Sequence, residues 1–181
     1  TMNYYKMPNN SIVATIGHLD AEKISKKEFE ELMLKSSSAA SPVVYDIITS
    51  MAFAVQLLTA DKKPTTADER IKCGALYPEW AAGAHTAGEI YTTPGQVWEC
   101  YQAYDNAVYP GIKPDNAAWY TFNRPLHGAT PETARPFVQP TGAHDMYHAG
   151  EHAIFEGKMY RCKSDTAYSP TDYAQAWEVA Q

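Results

Sequence analysis

The distribution of apolar and polar residues changes along the chain, and its first 41 residues predict a small hairpin followed by a helix. Two short β-prone runs, NYYKMP and SIVATIG, flank Asn9-Asn10, a good hairpin turn because asparagine tolerates positive φ. SKKEFEELMLK follows, in which Ser25 and Glu28 have the spacing of a capping box at a helix start. We therefore predict an N-terminal hairpin and helix region over residues 1–41.

Residues 43–58, VVYDIITSMAFAVQLL, are apolar around almost the whole circumference of a helix. The polar residues fall on one narrow stripe: Asp46, Thr49, Ser50 and Gln56. Such a helix must be buried on most of its surface, but at about 24 Å it is short for a membrane span. It is either an oligomerisation helix, with a homotrimer as one candidate assembly, or an intrachain core helix. A second short helix is predicted over 65–76, capped by Thr66 and Glu69, which completes a helical segment at 42–76.

From residue 77 onward no helical period survives, and glycine, proline and aromatic residues recur every few positions, as in short strands and loops. A repeat with an offset of 62 residues runs through this half: GQVWEC at 95–100 corresponds to GKMYRC at 157–162. Gly88 likewise falls on Gly150, and each pair of glycines is followed by a proline and then a tryptophan. Shared spacing over about 20 residues indicates an internal duplication.

Each copy predicts a β-hairpin with glycine at the turn, where positive φ is needed. Side chains alternate along a strand, so the aromatic residue and the cysteine of the second strand face the same way. A unit this small, with few aliphatic residues, needs aromatic side chains in its core. The predicted core residues of the two copies are Trp80, Trp98, Cys100, Trp119, Tyr147, Tyr160, Cys162 and Trp177.

Charge and composition exclude several classes of protein. The formal net charge of −6 provides no basic stripe for a nucleic-acid backbone. Three cysteines without a C-x-x-C motif predict neither a disulfide framework nor a zinc knuckle, and no cofactor motif is present. The sequence contains no stretch of about 18 apolar residues, so it predicts no membrane span. The polar N-terminal sequence does not resemble a signal peptide, since it contains no apolar core.

The spacing Trp80, Gly83, Gly88, Gly95 and Trp98, repeated in the second copy, resembles the carbohydrate-binding modules of families 5 and 12, the small chitin-binding type. The amino-acid sequence of residues 75–181 looks like the tandem version of this module found in tail-associated proteins of phages and prophages. The resemblance implies two small all-β modules, at 77–128 and 129–181. Together with the hairpin and helices predicted over residues 1–76, they predict an α+β chain. The resemblance also implies non-catalytic binding of a cell-surface glycan or chitin-like polysaccharide by a phage tail component that contacts other tail proteins. The expected location is the virion, or the bacterial cytoplasm when expressed from a prophage.

The chain departs from this family at the sugar-stacking aromatic pair, whose places hold Gln102-Ala103 and Ser164-Asp165. Other aromatic rings nearby could stack on a sugar, with polar neighbours bonding its hydroxyl groups. The candidate ligand-binding residues are Tyr101, Tyr104, Asn106 and Tyr109 in the first copy and Asp165, Tyr168 and Tyr173 in the second.

The sequence favours neither metal binding nor glycoside hydrolysis. His144, His148 and His152 have helical spacing, but the glycines around them predict a loop and strand, so we predict no metal site. No pair of carboxylates is fixed by local spacing for glycoside hydrolysis, and the chain is not predicted to be an enzyme. Two alternatives to glycan binding stay open: a structural tail or baseplate protein whose repeats dock other proteins, and an accessory part of a cell-wall hydrolase.

Overall fold

Two α-helices and twelve short β-strands lie in the described part of the chain, so the predicted α+β class is confirmed. The chain divides into two units, residues 1–41 and 42–181. The computed structural model describes residues 3–6, 12–15, 22–25, 27–28, 46–114, 116 and 122–180.

The first unit is built on a three-stranded antiparallel sheet of order β2-β1-β3. Its strands are β1 (Asn3–Lys6), β2 (Ile12–Thr15) and β3 (Glu22–Ile24). The Ser25 hydroxyl accepts a hydrogen bond from the Glu28 amide at 3.1 Å, which is the backbone half of the predicted capping box. The predicted turn at Asn9-Asn10 lies outside the described residues.

The apolar helix α1 runs over Ile47–Thr59. It begins there because Asp46 acts as the N-cap, its carboxylate accepting a hydrogen bond from the Thr49 amide at 2.7 Å. Asp46 therefore caps the helix instead of belonging to a polar stripe within it.

The surface of α1 is the reverse of the predicted arrangement. Only Ser50 and Leu57 are buried in this helix. Ser50 is buried because its hydroxyl donates to the carbonyl of Lys72 at 2.9 Å, on the second helix. Five large apolar residues are more than half exposed: Ile47, Ile48, Met51, Val55 and Leu58. The prediction that most of this helix surface is buried is therefore wrong for the single chain. The alternative of an intrachain core helix is wrong for the same reason.

Helix α2 (Ala67–Lys72) is positioned by its predicted capping box. The Thr66 hydroxyl accepts from the Glu69 amide at 3.2 Å, and the Glu69 carboxylate accepts from the Thr66 amide at 3.0 Å. Ile71 on this helix packs with Val97 and Leu126, which attaches α2 to the β-structure that follows. The predicted span of 65–76 is divided, because a separate 3₁₀ turn occupies Gly74–Leu76.

Nine short strands form three small sheets in the second unit. They are β4 (Ala84–His85), β5 (Ile90–Thr93), β6 (Gln96–Cys100), β7 (Tyr104–Asp105), β8 (Asn123–Pro125), β9 (Arg135–Pro136), β10 (His152–Phe155), β11 (Lys158–Cys162) and β12 (Trp177–Val179). Two sheets have the orders β5-β6-β8 and β12-β11-β10-β9, and β4 pairs with β7. All neighbours are antiparallel except β9 and β10, which are parallel.

Two hairpins, β5–β6 and β10–β11, occupy the positions predicted from the sequence. Their turns contain Gly95 and Gly157 at φ 79° and 74°, which confirms that these glycines supply positive φ. In the first hairpin the Gly88 amide donates to Cys100 and the Cys100 amide donates to Glu89, both at 2.8 Å. The same two hydrogen bonds, at the same length, join the residues 62 positions further on.

Each hairpin covers an aromatic core. The first core contains Tyr91, Trp98, Cys100, Tyr104 and Phe122, with Trp80, Ile112 and Val138 packed against it. The second contains Tyr147, Ala153, Cys162, Ala176 and Trp177, with Phe137 and Tyr160 packed against it. Trp119 lies outside the described residues. Among the residues described, no helix is both long and apolar enough to cross a bilayer.

Candidate functional site

Two exposed tyrosines in the C-terminal loop form an aromatic surface. Tyr168 is 62% exposed and Tyr173 is 44% exposed. Their ring centroids are 6.3 Å apart, with the ring planes at 72°. The two side chains are therefore neighbours on the surface, although five positions separate them in the sequence.

The backbone under this pair is held by hydrogen bonds. The Ser169 hydroxyl donates to the Asp172 carboxylate at 2.6 Å, and the Ser169 carbonyl accepts from the Tyr173 amide at 3.0 Å. The indole of Trp177 donates to the carbonyl of Tyr168 at 3.0 Å, which ties the loop to the second aromatic core. A ligand that stacks on one ring and touches the other would meet a surface whose backbone is already ordered.

Asp165, the third candidate of the second copy, is occupied by contacts within the chain. Its carboxylate accepts from His148 Nδ1 and from the Ala149 amide, each at 2.9 Å. These bonds, the His148 bond foremost, hold the pKa of Asp165 below its ordinary value. Asp165 therefore fixes the 148–149 loop, and the tyrosine pair carries the exposed aromatic surface.

Two candidates of the first copy have structural roles that occupy their polar atoms. Tyr104 is only 5% exposed, and its hydroxyl accepts from the Trp80 indole at 2.8 Å inside the core. Asn106 closes a loop: its Oδ1 accepts from the Gly83 amide at 3.0 Å, and its Nδ2 donates to the Ile112 carbonyl at 2.8 Å. A tyrosine or asparagine whose polar atoms are used in this way offers little to a ligand.

The other two candidates of the first copy are exposed but lie in different surroundings. Tyr109 is 46% exposed, and its ring packs on Phe122 with centroids 5.0 Å apart. Tyr101 is 47% exposed, with its ring 5.5 Å from the Arg124 guanidinium and 5.0 Å from the His144 ring. Only in the second copy, therefore, do two exposed candidate rings contact each other in the described structure.

Tyr101 lies beside a cleft that the sequence did not predict. The cleft has a volume of about 240 Å³, and its lining comes mainly from α2, residues 124–127 and residues 144–151. These stretches are far apart in the chain and carry no shared motif. The signal that could have located the cleft is the cluster of charged and histidine residues in each stretch, but only the fold brings them together.

His144, His148 and His152, which share helical spacing in the sequence, lie in different surroundings. His148 Nδ1 donates to Asp165, whereas His144 lies beside Tyr101. His152 is buried in β10, where burial lowers its pKa. Among the described residues, no group of three or more potential ligands could hold a metal ion.

The hairpin cysteines are buried thiols. Cys100 and Cys162 are 1% and 0% exposed, and burial raises the pKa of each thiol to about 11. The environment favours the neutral thiol, which is the opposite of what a nucleophilic cysteine requires.

We expect both thiols to resist labelling in the folded protein. With a pKa of about 11, only about one thousandth of each thiol is ionised at pH 8, and burial restricts reagent access further. Timed iodoacetamide labelling followed by peptide mass spectrometry measures this, with the chain unfolded in guanidinium as the control. Rapid labelling of either cysteine in the native protein would contradict this description of the two cores.

Comparisons with known proteins leave the family undetermined. A scan against models of protein families found no match, and a search of curated proteins found none. The resemblance to chitin-binding modules therefore stays a prediction from the sequence of residues 75–181.

Proposed function

We propose that this protein binds carbohydrate without catalysis, through the surface formed by Tyr168 and Tyr173. The observation that carries this proposal is the contact between two exposed rings on an ordered loop. Tyrosine rings present flat apolar faces that can stack on the C–H face of a sugar, while their hydroxyl groups stay hydrated. The pair would take over the role of the family's aromatic pair, which this sequence lacks.

The wider context of the proposal comes from the sequence. Two carbohydrate-binding-type modules at 77–128 and 129–181, in a phage or prophage tail component, are what the resemblance implies. The hydrogen bonds shared by the two hairpins support a duplicated unit. Among the described residues, an exposed tyrosine pair occurs in the second copy only, so we place the main glycan contact there.

Removing both rings should strongly weaken retention on polysaccharide. We expect the wild-type protein to be retained on chitin or on bacterial cell-wall polysaccharide, and the double variant Tyr168→Ala, Tyr173→Ala to bind at least about tenfold more weakly. Both side chains are exposed, so the fold should survive the change. Affinity electrophoresis or a pull-down gives the comparison.

Tyr109→Ala is the matched control for this experiment, because Tyr109 is similarly exposed but lies outside the pair. It should bind like the wild type. Failure of the wild-type protein to bind either polymer, or equal retention of the double variant, would refute the proposed site.

A second proposal concerns α1, which we infer joins two copies of the chain. Four of its exposed residues, Ile48, Met51, Val55 and Leu58, follow the 3-4-3 spacing of a coiled-coil seam. The 13-residue helix contains no charged side chain, so two copies can meet without like-charge repulsion. β-branched residues at the first seam position and methionine or leucine at the second favour a dimer over a trimer.

Self-association would strengthen glycan binding. A single shallow sugar site is weak, and two sites joined on one particle gain avidity by raising the effective concentration of the second site. The same apolar face favours the alternative of a docking protein, since it could receive another tail protein. The solution mass of the intact protein shows whether the apolar face of α1 binds a second copy of the chain or is left free for another tail protein.

A further inference from the structure

The cleft beside Tyr101 has the size of a site for a small ligand. Its volume of about 240 Å³ is slightly below the roughly 300–1,000 Å³ of common ligand pockets, which suits about one sugar ring. The lining is mostly polar and combines residues from both halves of the β-structure.

One part of the lining is an ion-pair network. Glu99 accepts from Arg70 Nη1 at 3.2 Å, from Arg124 Nε at 2.8 Å and from Arg124 Nη2 at 2.6 Å. The carboxylate thereby fixes both guanidinium groups at the cleft. A guanidinium has five N–H donors, so such a pair can hold its carboxylate and still bond a hydroxyl group.

The acidic groups of the cleft are held in the same way. Asp145 accepts from the amides of Thr141 and Gly142 at 2.9 and 2.8 Å, and its side chain is fully buried. Glu151 accepts from the His148 amide at 2.8 Å. The lining contains two arginines and three carboxylates, so it has no large excess of positive or negative charge. This balance favours a neutral, hydrogen-bonding ligand over an ion.

His127 lines the cleft with a largely buried ring. It is 8% exposed, and its ring stacks on Tyr147 with centroids 3.7 Å apart. Its Nδ1 lies 3.2 Å from the Glu151 carboxylate, while its Nε2 has no hydrogen-bond partner among the described residues. This nitrogen is inaccessible to solvent, so the contribution of His127 to the cleft is the surface of its ring and not a bond from Nε2.

Tyr101 is not part of the lining but lies next to two of its residues. It contacts Arg124 and His144, both of which line the cleft, and it is about half exposed. An exposed ring beside a cleft lined with donors and acceptors combines the two features that bind a pyranose: stacking on its C–H face and bonds to its hydroxyl groups.

We infer that this cleft is a second saccharide site, which takes one neutral pyranose ring between Tyr101, the Arg70–Glu99–Arg124 network and His127. The inference deepens the proposed function, since it assumes a glycan ligand. It places a second sugar contact on the same chain, separate from Tyr168 and Tyr173.

Imidazole NMR signals of the full chain, titrated with methyl β-D-glucopyranoside, test the cleft directly. We expect a saturable shift of the His127 signal, with the core residue His85 as an unshifted internal control. Tyr101→Ala should weaken this binding by about three- to tenfold, and Tyr109→Ala should leave it unchanged. An unshifted His127 signal, or equal affinity of the Tyr101 variant, would overturn the inference.

The double variant Tyr168→Ala, Tyr173→Ala separates this inference from the proposed function. It should lose retention on polysaccharide and keep the His127 shift. If the wild type is retained on the polymer while His127 does not respond, the cleft inference fails and the tyrosine pair stands. If His127 responds but loss of the pair does not affect retention, the proposed main site fails and the cleft stands.

Discussion

Tyr147→Ala should lower the free energy of unfolding of the 42–181 unit by about 3–5 kcal/mol, the largest stability effect expected in the chain. Tyr147 is 1% exposed at the centre of the second aromatic core. Its ring stacks on His127 at 3.7 Å and Phe137 at 5.2 Å and meets the edge of Trp177. Alanine would leave a cavity where these contacts converge.

Tyr147→Phe is the control because it keeps the ring and removes only the hydroxyl group, which accepts from the Val138 amide at 3.2 Å. It should cost only about 1 kcal/mol. All four tryptophans lie in residues 80–177, so fluorescence during urea unfolding reports on this unit alone. A cost below about 1 kcal/mol for the alanine variant would contradict the packing described.

Lysine at two seam positions of α1 should convert a dimer into a monomer. Met51→Lys with Val55→Lys places two ammonium groups from each copy in the apolar contact, where burial without partners is costly. We expect dimerisation to weaken by at least about 100-fold, which sedimentation equilibrium measures. Both residues are more than half exposed in the single chain, so the monomer should stay folded.

Gln56→Lys is the matched control, since it adds a charge to the exposed polar side of the same helix. It should leave the dimer intact. A wild-type chain that is monomeric at micromolar concentration would show that α1 does not join two copies. Equal dimerisation of the seam variant would exclude this face from the contact.

Local signals were enough to predict much of the secondary structure. The spacing of Thr66 and Glu69 was enough to predict the capping box, because its two hydrogen bonds depend only on residues three positions apart. Gly95 and Gly157 predicted their turns, because positive φ excludes most other residues. In each case the interaction that fixes the structure lies within a few residues of the signal.

Burial was harder to predict, because it depends on residues distant in the sequence. Ser50 is polar but buried, since a carbonyl at Lys72 provides its partner, while the apolar seam of α1 stays exposed. The sequence does not distinguish Tyr104 from Tyr109. In the fold, however, the hydroxyl group of Tyr104 accepts a hydrogen bond from the Trp80 indole inside the core. A single sequence does not specify which partner each tyrosine will find.

The candidate sites were predicted in part. Tyr168 and Tyr173 were named individually, but their contact depends on the turn at Ser169. The cleft was missed because Arg124 and His127 meet Glu151 only after the two halves pack together. Sites assembled from separate stretches leave no motif in either stretch.

The most direct test of carbohydrate binding observes the two tyrosine rings themselves. With tyrosine rings labelled with ¹³C, we would titrate the intact protein with N-acetylglucosamine oligosaccharides and with soluble cell-wall fragments. We expect saturable shifts of the Tyr168 and Tyr173 ring signals, with the signal of the buried Tyr91 ring unchanged. If the Tyr168 and Tyr173 signals stay unchanged with every saccharide that the protein binds, carbohydrate binding by this tyrosine pair is contradicted.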